Sequence, residues 1–121
     1  MLKIFCLFIV IHSQASFAAS SDEIRDAIHA RMSERHPEPN PNFWTQLGPE
    51  ALPVIKAMYQ ASTSPIEQTW LIDGLSHFSD PSVGDLLKTS IQGSDNAVFK
   101  KKMISALIES QGESSYDFVE P

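Results

Sequence analysis

Apolar residues along this chain recur at helical spacing, in segments separated by short polar turns. Ile24, Ile28 and Met32 fall at i, i+4 and i+8, with Arg25, Asp26, Arg31 and Glu34 mostly on the other side, which predicts an amphipathic helix. Ser20, with Glu23 three residues on, supplies a capping-box start. Pro37 disfavours helix for the residue before it, so the segment should stop near Arg35–His36. The proline-rich run Pro37–Asn42 then reads as a stiff, extended connector. Phe43–Leu47 predicts a short helical turn ended by Gly48, and Pro49 opens a helix to about Ala61. Ser64-Pro65-Ile66-Glu67 is a second start signal, for a helix carrying Ile66, Trp70, Leu71, Gly74, Leu75 and Phe78 on one broad face. Asp80-Pro81 opens a third, with Val83, Leu86, Leu87 and Ile91 inward. After the Gly93-Ser94-Asp95 turn, Asp95 or Asn96 caps a helix facing inward through Val98, Phe99, Met103, Ala106, Leu107 and Ser110. No segment shows the sustained alternation of a half-buried strand, so the predicted class is all-α.

The pattern repeats. A shift of 32 residues lays Pro49 on Pro81, Ala51 on Val83, Val54-Ile55 on Leu86-Leu87, Leu71 on Met103, Ile72 on Ile104 and Leu75 on Leu107. A period of about 20–50 residues marks a stacked-repeat architecture, in which each helix pair buries its apolar face against the next. In the same register Phe43 falls where Leu75 and Leu107 fall, as the tail of a truncated preceding unit, and Phe118-Val119 falls on Leu86-Leu87 as the start of a further one.

The run Leu47-Gly48-Pro49-Glu50-Ala51-Leu52-Pro53-Val54-Ile55 resembles the start of a short bacterial HEAT-like repeat, and the run from Asp80 to Leu87 is similar, with Gly84-Asp85 in place of an aliphatic and a proline. The second helices, Glu67–Leu75 and Phe99–Leu107, match the aliphatic, basic and small-residue frame of that family, departing from it at Glu67 and Trp70. The resemblance covers residues 43–119. It implies an α-α superhelix of about two helix pairs, preceded by one N-terminal helix, that binds protein or peptide partners along the second helix of each pair. In that frame Gln68, Thr69, Lys100 and Lys101 are the positions turned toward a partner. It implies no cofactor and no substrate.

The beginning of the chain changes the picture. Met1-Leu2-Lys3 is basic, Ile4–Ile11 is an apolar run of 8 residues, and Ser16-Phe17-Ala18 ends in small residues. This is the pattern of a secretory signal peptide over residues 1–18 with cleavage after Ala18; the run is far shorter than the roughly 20 residues a membrane-spanning helix needs. Residues 19–42 then form the N-terminal helix and connector, and 43–121 the repeat domain. The expected location is periplasmic or extracellular, with no stable membrane insertion after cleavage. The single cysteine, Cys6, lies within the leader, so the exported chain would carry neither disulfides nor thiol chemistry.

Charge and motifs exclude several classes. The net charge is −6, and −7 once Lys3 is removed with the leader, which argues against a nucleic-acid partner, since that affinity rests on phosphate neutralisation. Lys100-Lys101-Lys102 is the one basic cluster and reads as a contact patch for an acidic partner or as a solvated turn with the Lys102 stem laid over the core. His29 and His36 sit seven residues, about 10.5 Å of helical rise, apart, too far to share a metal without His77 and a carboxylate folding in. No serine has a nucleophile-elbow context, and the five glycines are isolated. Trp70 reads as an inter-repeat filler or an exposed anchor, with its spacing from Ile66 and Gly74 favouring the core. The expected function is therefore a non-enzymatic interaction module. A small periplasmic inhibitor or immunity protein for a toxic enzyme, an enzyme or enzyme subunit, and a fragment of a longer stack are the competing readings.

Overall fold

The structure, a computed structural model, describes residues 20–34, 40 and 42–119. The predicted signal peptide and most of the proline-rich connector lie outside the described residues. The described chain is all-α: α1 (Ser21–Ser33), α2 (Phe43–Gln46), α3 (Ala51–Ala61), α4 (Pro65–Leu75), α5 (Pro81–Gln92), α6 (Ala97–Gln111), a 3₁₀ turn (Gly112–Ser115) and α7 (Tyr116–Val119).

The caps explain where these helices begin. Ser20 Oγ accepts the Glu23 amide at 3.1 Å and starts α1. Ser64 Oγ accepts the Glu67 amide at 3.4 Å, with Pro65 at the first helical position of α4. Asp80 Oδ1 accepts the Ser82 amide at 2.8 Å, ahead of Pro81 in α5. The Ser82 hydroxyl and then its amide hold the Asp80 carboxyl below its ordinary value of 3.8, with Lys56 adding to the pull. Of the two cap candidates for α6, Asn96 acts: its Oδ1 accepts the amides of Val98 at 2.9 Å and Phe99 at 3.0 Å. Removing that acceptor in Asn96→Ala should lower stability by about 1 kcal/mol, while Asn96→Asp keeps it. Denaturant midpoints of the two variants check this.

The start of α3 departs from expectation. Gly48 takes a left-handed backbone, φ 87°, and the chain turns through Pro49 and Glu50 before the helix begins at Ala51. The Ala51 amide bonds to the Gly48 carbonyl at 3.1 Å and that of Leu52 to Pro49 at 3.3 Å, a tight turn that uses the two residues first read as helical. Pro53 is exposed within the first turn of α3, where its missing donor costs little.

α3 packs on α4 and α5 on α6, each pair joined by a short turn and so antiparallel. α4 packs on α6, and α1 lies against α3. Buried positions follow the 32-residue register: Ala51 and Val83, Ile55 and Leu87, Leu71 and Met103, Leu75 and Leu107 are all interior. The register also appears as hydrogen bonds between the ends of α4 and α6. Ser110 Oγ donates to the carbonyl of Phe78, 32 residues earlier, and Gln111 Nε2 donates to the Asp80 carbonyl at 3.0 Å. These bonds satisfy carbonyls left open where α4 ends and the chain turns into α5. Gly84 is part of the same joint, since a Cβ there would meet the Gln111 side chain at 3.0 Å. Phe118 is half-buried against the core, with the Lys88 ammonium of α5 5.8 Å from its ring.

Candidate functional site

The second helices α4 and α6 run side by side and in parallel. Pro65, Ile66 and Thr69 meet Val98, Phe99 and Lys102 at one end, while Ile72, Asp73 and Ser76 meet Lys101, Ser105 and Glu109 further along. Between the helices lies a groove of about 330 Å³, continued at the N-terminal end by an apolar depression of about 240 Å³ that shares Val98 and Lys102 with it.

Two residues on this face were expected inside. Ile66 is 76 % exposed and Val98 79 %. Helical periodicity put both on the apolar face, but they occupy the first turns of α4 and α6. Side chains on a helix lean toward its N-terminus, so these two project past the packed body of the seam.

The four positions expected to face a partner do not form one set. Lys101 is exposed and lines the groove, and Thr69 lines the apolar depression, its hydroxyl donating to the Pro65 carbonyl at 2.8 Å. Gln68 is half-buried, and its Nε2 donates to the Ser62 carbonyl at 2.8 Å, closing the α3–α4 turn. Lys100 is half-buried and lines neither cavity; Lys102 lines both.

A second cleft, of about 560 Å³, flanks α4 on its other side. Phe43 and Trp44 of α2, Arg31 of α1, Trp70 and Asp73 of α4, and His77 in the turn just after α4 line it. The Arg31 guanidinium stands 5.4 Å from the centre of the Phe43 ring and 3.6 Å from Glu34. Trp44 is 4 % exposed, and its indole N–H donates to Asp73 Oδ2 at 3.3 Å. Trp70 is half-buried, packed against the core while lining this cleft. Sequence reasoning missed the cleft. The available signal was Phe43, whose register position put α2 beside α4, as α4 stands beside α6. Asp73 forms the ridge between the two cavities and lines both.

The described residues contain no group of three histidine, cysteine, aspartate or glutamate side chains placed to hold a metal. His77 lines the aromatic cleft, whereas His29 lines a different cavity with Arg25, Met58 and Glu67. No described helix is long and apolar enough to cross a membrane. Compared with described protein families, with curated proteins and with solved structures, the chain matches none of them.

Proposed function

We propose that this chain is an exported, non-enzymatic interaction module, a short HEAT-like α-α superhelix that binds a protein or peptide along its second helices. The observation that carries the reading is the α4–α6 groove, a continuous furrow between parallel helices with exposed aliphatic side chains at one end and charged ones along its walls. Well-formed concave surfaces with apolar lining and a few polar groups are the usual seat of ligands and peptides. The bonds from Ser110 and Gln111 to the turn after α4 support the stacked arrangement, because they join equivalent ends of successive units. Export rests on the N-terminal pattern of a basic start, a short apolar run and small residues at 16 and 18. An acidic chain with one short basic cluster fits a protein partner better than a nucleic acid.

A photo-reactive side chain at Ser105, exposed in the groove, should cross-link one defined protein in the cells that make this chain. The same probe at Asp85, exposed on α5, should not. Equal labelling from both positions, or none from Ser105, would remove the groove from the proposal.

A further inference from the structure

Four large apolar residues are exposed among the described ones: Ile66, Val98, Ile108 and Tyr116. The two most exposed, Ile66 and Val98, are 32 residues apart, each the second residue of a second helix. They therefore hold equivalent places on adjacent parallel helices, and packed helices stand about 8–10 Å apart. The pair forms two walls. Pro65, Thr69 and Phe99 line the depression between them, and its volume of about 240 Å³ suits one leucine- or phenylalanine-sized side chain.

Charge is distributed unevenly along the groove. Lys102 is the charged residue lining the depression, and Lys101 follows it in the adjoining groove. Both helices also point their N-termini, with their partial positive charge, toward this end. The acidic wall residues Asp73 and Glu109 belong to the main groove and are absent from the depression. Glu67, although on α4, lines the cavity against α1 and α3, and Asp95 is exposed in the turn before α6.

Building on the interaction reading, we infer that the N-terminal end of the α4–α6 seam receives a protein segment that inserts one large apolar side chain between Ile66 and Val98 and sets flanking carboxylates against Lys101 and Lys102. The apolar insertion supplies affinity, and the lysines select acidic over basic neighbours.

Fluorescence anisotropy on the purified chain tests this with a labelled peptide carrying one phenylalanine between two pairs of glutamates. Binding should be saturable and weaken with salt. It should fall by about tenfold or more in Ile66→Ser, Val98→Ser and Lys102→Gln, a loss of about 1.4 kcal/mol or more. Because Ile66 and Val98 are exposed, their serine variants should melt with the wild type, which separates lost binding from lost folding. Equal binding of a peptide with lysines for glutamates, or with alanine for phenylalanine, overturns the inference. So does concentration-dependent self-association abolished by Val98→Ser, which would make a second copy the occupant. If the acidic peptide fails to bind while the Ser105 probe still labels a partner, the partner chemistry is wrong and the interaction reading stands. Failure of the Ser105 probe strikes the reading itself.

Discussion

Leu75→Asp and Leu107→Asp should each unfold the protein, whereas Ile66→Asp should leave its melt close to wild type. Leu75 and Leu107 are fully buried and occupy equivalent positions in α4 and α6, the two helices whose contact joins one pair to the next. An aspartate there either buries an unpaired carboxylate or is forced to take up a proton, and both cost several kcal/mol beyond the lost leucine packing. Domains of this size are stable by only about 5–15 kcal/mol, so each substitution consumes most or all of the margin. Ile66 lies nine residues before Leu75 on the same helix but is three-quarters exposed, so a charge there stays in water. Circular dichroism during denaturant titration reads all three variants. Near-wild-type midpoints for both leucine variants would break the link between the 32-residue register and the core. Unfolding by Ile66→Asp would show that the first turn of α4 is covered.

The pattern of start signals carried most of the fold into view. Serine, aspartate or asparagine caps and helix-opening prolines at Ser20, Ser64-Pro65, Asp80-Pro81 and Asn96 act locally, through bonds to amides two or three residues away. Short-range chemistry of that kind is legible in a linear sequence. The interior was legible too, because Leu71, Leu75, Met103 and Leu107 repeat at a fixed interval and each had to be inward for its unit to pack. The site was less so. Periodicity gives the direction of a side chain around a helix but not whether the neighbouring helix extends far enough to cover it, and Ile66 and Val98 fail on that second count. Gln68 was read as turned toward a partner because its place in the frame is open. Its amide instead found the Ser62 carbonyl, a contact set by the path of the turn. The aromatic cleft depends on residues from α1, α2 and α4 meeting across the connector, which no local pattern specifies.

That cleft holds the second large expected effect, at the contact between Trp44 and Gly74. Trp44 is almost wholly buried, and a Cβ on Gly74 would stand 2.8 Å from its ring carbons. The glycine is therefore there to let the indole lie against α4, and the Trp44 N–H bond to Asp73, one residue before it, fixes the ring in that place. Trp44→Ala should cost about 3–5 kcal/mol through lost burial and the cavity left behind. Gly74→Ala should also destabilise, by up to about 2 kcal/mol, because overpacking against a ring costs about 1–3 kcal/mol, set against the roughly 1 kcal/mol that alanine gains over glycine inside a helix. The two effects are coupled. In a Trp44→Leu background the obstruction is smaller and more flexible, so Gly74→Ala should turn neutral or stabilising, reversing its sign. A double-mutant cycle on denaturant midpoints measures this coupling directly. If Gly74→Ala were equally destabilising with tryptophan and with leucine at position 44, the glycine would be required by something other than the indole, and α2 would not be docked on α4 through this contact.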